Sequence, residues 1–314
     1  MLDTESLLLI EKRIGTAHFK KRLQLQAEHS AIRFSPSGLH IYWENLDLMG
    51  PILRGILKMS GVLDRGMRNS LNYRVETLTT PIPHLPSAFH GFRILHLSDL
   101  HLEGILDRGK RLREVIHSLT FDLCVITGDF RLLTYGDYEE AVVRMTELAT
   151  AIQCPEGIIG ILGNHDFLEM IPGLEKTGMR LLLNESIPIH RGEDTIWIVG
   201  VDDTHWYEVD DLPKALQQVP REAKKILLAH SPEIIQEASE AGIDYYLCGH
   251  SHGGQICLPG GIPILNNSLC SRSFIAGSWS YQNTLPGYTS RGTGASLLPV
   301  RFSCPPEVAL HQLV

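Results

Sequence analysis

The stretch Arg93-Ile94-Leu95-His96-Leu97-Ser98-Asp99-Leu100-His101 is a brief, nearly continuous apolar run that ends on a carboxylate and an imidazole. A run of this kind reads as a strand buried on both faces. Four more runs repeat the arrangement. Residues 123–127 are followed by Gly128-Asp129, 158–162 by Gly163-Asn164-His165-Asp166, 225–229 by His230, and 245–248 by Gly249-His250-Ser251-His252. Open α/β sheets place ligand sites just beyond the carboxyl ends of their strands. Strand ends that deliver carboxylate, amide and imidazole groups together predict one shared site for divalent cations.

The segments between the runs carry helical periodicity. Within 107–119, Leu112, Val115, Ile116 and Leu119 share one face at 3.6 spacing. Asp137 and Glu140 predict a capping box ahead of a helix whose stripe is Ala141, Val142, Met145, Leu148, Ala149 and Ile152. Pro213 and Pro232 open shorter helices over 213–219 and 232–239. Further strands are expected at 195–201, 262–265 and 297–302. Strands alternate with helices from residue 72 to 188 and dominate afterwards. This predicts an α/β (α+β layered) fold of two packed mixed β-sheets flanked by helices. Residues 1–71 read as a helical extension ahead of a domain spanning 72–314.

The chain has 314 residues, 43% of them hydrophobic and 20% charged, the balance of an ordinary globular protein. A net charge of −8 speaks against a nucleic-acid partner, which would call for a basic face. The charge is unevenly placed. Residues 1–70 hold ten Lys/Arg against seven Asp/Glu, leaving 18 basic and 29 acidic residues for the remainder. The six cysteines form no CxxC pair, and Cys124 and Cys248 fall inside strand-like runs. That usage suits a reducing compartment. With neither a signal-peptide pattern nor an apolar run of membrane-spanning length, the expected location is cytoplasmic.

From Gly50 to Leu71 the apolar residues Ile52, Leu53, Ile56, Leu57, Met59, Val62, Leu63 and Met67 are interleaved with Arg54, Lys58, Arg65 and Arg68, and only Asp64 opposes those charges. Two readings fit: a basic amphipathic helix on an anionic membrane surface, which would put the protein on the inner membrane face, or a helix docked on the domain with solvated basic residues.

Together, DxH at Asp99 and His101, GD at Gly128 and Asp129, GNHD from Gly163 to Asp166, the single His230, and GHxH from Gly249 to His252 resemble the motif set of the calcineurin-like metallophosphoesterase superfamily. The motifs follow the family's order across about half of the chain. The stretches from Gly249 to Ile256 and from Gly287 to Pro306 are most similar to a bacterial branch of membrane-associated phosphoesterases and UDP-2,3-diacylglucosamine hydrolases of the lipid A pathway. The resemblance implies an α/β/β/α sandwich with a dinuclear site. One metal would take Asp99, His101, Asp129 and His252, the other Asp129, Asn164, His230 and His250. His165 would contact the phosphate and protonate the leaving oxygen, with Asp166 orienting it and keeping it protonated.

The chemistry supports such an assignment. Phosphoester hydrolysis needs an activated water and neutralisation of the phosphoryl oxygens, which two cations about 4 Å apart supply. Cations so close need an anionic bridge, and Asp129, following Gly128, is the candidate. A mixed imidazole, carboxylate and amide set favours Mn, with Fe or Zn as alternatives, over Mg or Ca. Arg131, His205 and Arg291 are weaker candidates for substrate contact; their plainer readings are loop and ion-pair roles. Arg301 has the same two readings. The second motif departs from the family's GDxx(D/N), since Leu132 stands at its last position, and Cys257 occupies a place that is often basic. His96 alternates against Leu95 and Leu97 and reads as structural.

The expected function is phosphoester hydrolysis, of phosphodiesterase or pyrophosphatase type, on a lipid-linked or nucleotide substrate. A general or cyclic-nucleotide phosphodiesterase is the alternative enzyme. A non-catalytic scaffold of the same fold is the alternative of another class, but scaffolds lose ligands and this chain keeps the full set.

Overall fold

A computed structural model of the chain describes residues 4–28, 32–35, 38–41, 49–264 and 268–314. The amino-terminal part holds helices α1 (Thr4–Ile14) and α2 (Thr16–Ala27), the hairpin β1 (Ile32–Ser35) and β2 (Gly38–Ile41), and helices α3 (Met49–Met59) and α4 (Leu63–Asn69). Then come β3 (Arg74–Thr80), β4 (Arg93–Leu97), α5 (Lys110–His117), β5 (Leu123–Thr127), α6 (Glu139–Ala149), β6 (Ile158–Ile161), α7 (Ile171–Glu175) and β7 (Met179–Leu181). The remainder is β8 (Glu185–Arg191), β9 (Asp194–Gly200), α8 (Leu212–Ala215), β10 (Lys224–Leu228), α9 (Ile235–Glu240) and β11 (Tyr245–Cys248), followed by β12 (Cys257–Leu258), β13 (Ile262–Pro263), β14 (Gly277–Tyr281), β15 (Leu285–Thr289) and β16 (Glu307–Leu313).

Two six-stranded sheets carry the fold. The first has the order β3-β16-β4-β5-β6-β7 and the second β14-β15-β11-β10-β9-β8. In the first, β4 to β7 run parallel, and β16 is antiparallel to β4 but parallel to β3. In the second, β9, β10, β11 and β15 run parallel between antiparallel edge strands β8 and β14.

Alternation along the strands makes four layers. Ile94, Leu123, Val125, Ile159 and Ile161 face Ile196, Ile198, Ile226, Leu228 and Leu247 between the sheets. Their neighbours Leu95, Leu97, Cys124 and Ile126 point the other way, against Leu112 and Ile116 of α5 and Met145 and Leu148 of α6. On the second sheet Val199, Leu227 and Tyr246 meet Leu212 of α8 and Ala238 of α9. Each fully buried aliphatic side chain contributes on the order of 1.5–3 kcal/mol. His96 sits between the sheets, its Nε2 2.9 Å from Thr127 Oγ1, and burial lowers its pKa to about 3.

Ile10, Ile14 and Phe19 of α1 and α2 belong to the same apolar cluster as Leu95 and Leu97. Arg13 ties α1 to Glu175 at 2.9 Å and Glu185 at 2.6 Å. Helices α3 and α4 pack separately, through Leu57 and Leu63 against Leu298 and Val300.

Several local expectations change. Residues 1–71 are not helical throughout, since β1 and β2 form a hairpin. The arm breaks at Gly61, whose φ of 70° suits glycine. The capping box at Asp137 does not form. Asp137 Oδ1 accepts from the Glu139 amide instead, and Glu140 is taken by Arg144 at 2.7 Å. Residues 297–302 form no strand; Phe302 makes one isolated bridge to Ile256, because α4 covers the segment and Arg301 N donates to Gly66 O. Leu265, at the end of the expected 262–265 strand, lies outside the described residues. Among those described, no helix is long and apolar enough to cross a membrane.

Candidate metal centre

The carboxyl ends of β4, β5, β6, β10 and β11 converge at one edge of the two sheets. They bring Asp99, His101, Asp129, Asn164, His165, His230, His250 and His252 together, all of them buried. Asp99, His101 and His252 form one group whose donor atoms lie within 4.8 Å of one another, and Asp129, His230 and His250 form a second. His101, Asp129 and His165 make a third group between them.

Asp129 stands at the centre. Its Oδ2 lies 3.3 Å from His230 Nε2 and 3.8 Å from both His101 Nε2 and His165 Nε2. Burial opposes ionisation of Asp129, but the imidazoles of His230, His165 and His101 outweigh it and hold the carboxyl well below its usual range. For His230 burial likewise works against charge, while Asp129, Asp99 and Asp203 prevail and raise it to about 10. Asp129 thus carries its negative charge against a proton on His230, and a metal cation would take that proton's place.

The chain turns sharply to present these groups. Asp99, His101, Asp129, His250 and His252 adopt φ values of 51°, 41°, 57°, 68° and 51°. Non-glycine residues in this region store strain of about 1–3 kcal/mol each, which persists only where the surroundings over-determine the conformation. Here the loops are bonded to one another: Asp99 N to Gly128 O at 3.1 Å, His101 N to Asp129 O at 3.0 Å, and His250 N to Asp99 Oδ1 at 3.0 Å. Two glycines make the approach feasible. A Cβ on Gly128, at φ 90°, would lie 2.6 Å from Gly163 N, and one on Gly163 would lie 2.2 Å from Asp129 Oδ1.

The donor set fits metal ions. His101 Nδ1 donates to Arg131 O at 2.8 Å and His230 Nδ1 to Thr127 O at 2.7 Å, which turns both Nε2 atoms inward. His101 Nε2 and His252 Nε2 face each other at 3.1 Å, where two ring nitrogens can share one proton at most. Asn164 Oδ1 lies 3.0 Å from His230 Nε2 and 3.1 Å from His250 Nδ1. Imidazole, amide and carboxylate groups converging this closely match the ligand set of a divalent metal ion.

His165 points its Nε2 at the same centre, and its amide donates to Asp129 Oδ1 at 2.9 Å. Asp166 does not orient it. The Asp166 carboxylate faces the opposite way and accepts from the amides of Asp129, Phe130 and Gly163 at 2.8–2.9 Å. The Leu132 carbonyl holds His165 instead, at 2.7 Å from Nδ1. Burial lowers the His165 pKa to about 3 rather than keeping the ring protonated. At Leu132 the main chain rather than the side chain thus supplies a bond to the centre.

The weaker candidates separate. Arg131 is fully buried, and its Nη2 donates to the carbonyls of Tyr135, Gly136 and Asp137, with its guanidinium 4.4 Å above the Phe167 ring. His205 stands beside the centre, its ring 4.0 Å from that of His250 and its Nδ1 2.8 Å from Glu233 Oε1. Arg291 pairs with Glu307 and lines a cavity of about 630 Å³ with Arg74, Arg272 and Gly253.

Sequence reasoning missed two supports. Arg301, read only as a phosphate or surface-pairing group, is buried and donates Nη1 to His252 O at 3.0 Å, with Nη2 3.3 Å from His252 Nδ1. Arg22 of α2 is also fully buried. It donates to Asp166 O at 2.9 Å, lies 3.5 Å from Asp202 Oδ1, and stacks 3.3 Å from the Tyr207 ring centroid. The signal was there to read: Phe19, Arg22 and Gln26 share the buried face of α2.

Fold and site together define a metal-dependent phosphoesterase. A family model for calcineurin-like phosphoesterases matches residues 92–254, and the chain belongs to that family. Among its relatives is the uncharacterized metallophosphoesterase YkoQ of Bacillus subtilis, 28% identical over 82% of this chain and 97% of that protein. The UDP-2,3-diacylglucosamine pyrophosphatase LpxG of Chlamydia trachomatis is 26% identical over 76% of this chain and 88% of its own length. The phosphodiesterase YaeI of Escherichia coli is 27% identical over 71% and 82%. The protein is a hydrolase of phosphoesters.

Proposed function

We propose that the chain is a dinuclear-metal phosphodiesterase or pyrophosphatase acting on a lipid-linked or nucleotide substrate of the UDP-2,3-diacylglucosamine kind, in the cytoplasm at the inner face of a membrane. The observation that carries the dinuclear reading is Asp129 Oδ2 lying within 3.3–3.8 Å of three imidazoles, where a bridging carboxylate belongs. Asp99, His101, Asp129 and His252 would hold one ion, and Asp129, Asn164, His230 and His250 the other, with Mn preferred by the donor set. When bound, two such ions activate water and neutralise charge on the phosphoryl oxygens. The residues do the rest. The Leu132 carbonyl accepts from His165 Nδ1 and fixes the ring, whose Nε2 faces the reacting centre; a bound phosphoryl anion would raise the proton affinity of that ring and let it pass a proton to the leaving oxygen. Asp166 binds the second and third loops through their amides, and Arg301 binds the fifth through the His252 carbonyl.

The relative named a UDP-2,3-diacylglucosamine pyrophosphatase supports the lipid-linked reading. The relative named a phosphodiesterase supports the second one, a general or cyclic-nucleotide phosphodiesterase. Purified protein loaded with Mn, assayed side by side on UDP-2,3-diacylglucosamine, bis-p-nitrophenyl phosphate and p-nitrophenyl phosphate, separates them. The lipid-linked reading expects the first to be hydrolysed with the highest kcat/KM. Turnover of the two nitrophenyl esters alone would sink it and leave the second reading.

A further inference from the structure

Two surface features remain outside the site. Helix α3 docks through Leu53 and Leu57 onto the cluster formed by Leu298, Val300 and Phe302, yet Ile52, Ile56 and Met59 are each more than half exposed. At about 100° per residue these three form a second stripe, roughly 110° around the helix from the docked one. Arg54 and Lys58, both exposed, follow on the other side. The outward face of α3 is therefore split lengthwise into an apolar half and a basic half. A helix that only docks carries a single apolar stripe.

The second feature is the segment 255–271, which contains no charged residue. Around the β12–β13 hairpin it leaves Leu258, Ile262, Ile264 and Leu269 each more than half exposed. Single exposed apolar side chains are ordinary, but a group of them on one uncharged segment marks an interaction surface. The hairpin starts from the cluster that anchors α3, because Ile256 packs with Leu57, Leu63 and Phe302 and bridges to Phe302. It also leads out of the turn that carries His250 and His252. Gly260, Gly261 and Pro263 line the cavity of about 630 Å³ shared with Gly253, with Arg74, Arg272 and Arg291, and with the carboxylate of Glu76.

We propose that α3 and the β12–β13 hairpin together form a docking surface for an anionic lipid bilayer. The apolar side chains enter the headgroup boundary while Arg54, Lys58, Arg65, Arg68 and Arg272 meet lipid phosphates. Charge complementarity selects this occupant: four exposed basic residues on α3 and α4 face outward against the single carboxylate of Asp64, and the hairpin adds none. The inference rests on the lipid-linked reading of the site and adds to it the hairpin as the element that brings the metal-bearing turn to the membrane.

The test is flotation of the full chain with vesicles of phosphatidylcholine alone or mixed with phosphatidylglycerol, beside hydrolysis of bis-p-nitrophenyl phosphate. The wild type should float with phosphatidylglycerol vesicles and stay behind with phosphatidylcholine. Ile262→Ser with Ile264→Ser should weaken binding by at least about tenfold, as should Arg54→Glu with Lys58→Glu. Both double variants should cleave the soluble diester at the wild-type rate, which also reports that they fold. A wild type indifferent to anionic vesicles overturns the proposal, and so does a hairpin variant that floats like wild type. If light scattering shows a dimer that the hairpin variant loses, a second copy of the chain is the occupant. Failure to cleave any phosphoester with vesicle binding intact would strike the hydrolytic reading and leave the docking surface standing.

Discussion

Arg22 Nη2 lies 2.9 Å from the main-chain carbonyl of Asp166, so a guanidinium carried by α2 is bonded to the back of the loop that presents Asn164 and His165. The same guanidinium faces the buried carboxylate of Asp202 at 3.5 Å, and His18 Nε2 lies 2.8 Å from the other oxygen of that carboxylate. The amino-terminal extension thus takes part in shaping a site built by strands far along the chain. Arg22→Ala would leave Asp202 buried with a weakened counter-charge, a change that costs about 3–5 kcal/mol. Thermal unfolding of that variant should fall well below wild type. Titration calorimetry with Mn should show weaker binding, and Arg22→Lys should restore part of both. A variant with unchanged melting and unchanged metal binding would show that the network is idle.

Asp129→Asn should abolish hydrolysis and lose at least one metal equivalent, because a neutral amide cannot bridge two cations. Elemental analysis of the purified variant checks this. Two tightly bound equivalents would remove Asp129 from the bridging position.

His165→Ala should keep its metals and lose about 10²–10⁴-fold in turnover on substrates with poor leaving groups. The loss should shrink for p-nitrophenyl esters, whose leaving oxygen needs little protonation. Equal losses on alkyl and nitrophenyl substrates would count against a proton-donating ring.

Asp210 offers a test of pH dependence away from the metals. Burial, followed by the nearby carboxylates of Asp203, Asp202 and Glu237, raises its pKa to about 7. A carboxyl whose folded pKa lies above its unfolded value of about 3.9 stabilises the fold most below pH ~4 and loses that contribution as pH rises through ~7. Asp210→Asn should therefore melt above wild type at pH 8, and the gap should narrow as pH falls toward 4. Melting curves taken across that range decide it. A gap that widened on acidification would contradict the assignment.

The strands and the donor groups were legible because both depend on local sequence. A run such as Leu123–Thr127 is apolar on both faces, and Asp129 follows it directly, so position along the chain already fixes position at the sheet edge. Partnerships were less legible. Asp166 looks like the natural partner of its neighbour His165, yet it turns to the amides of Asp129 and Phe130, whose places depend on the pairing of β5 with β6. Arg131 follows a motif acid and invites a phosphate role, yet three carbonyls of the 135–137 loop hold its guanidinium. Arg22 lies far in sequence from every motif, Arg301 lies 49 residues beyond His252 at the end of the last metal-type motif, and both reach the site only through tertiary packing. Segment 297–302 has strand-like composition, but α4 rather than a strand covers it. Tertiary context overrides propensity in such short runs.

The place of β16 bears on how the protein comes to be made. It is inserted between β3 and β4, although residues 81–306 separate it from the end of β3. During synthesis the first sheet stays open until residues 307–313 emerge from the ribosome, with β3 unpaired and one edge of β4 bare. Long-range strand insertion of this kind folds slowly, and open strand edges recruit other chains. Glu307, at the start of the same strand, also receives the Tyr288 hydroxyl at 2.8 Å and pairs with Arg291, so the rim of the site matures in that closing step. Nascent chains stalled before residue 307 would be the aggregation-prone species, and chaperone capacity would limit the yield of active enzyme.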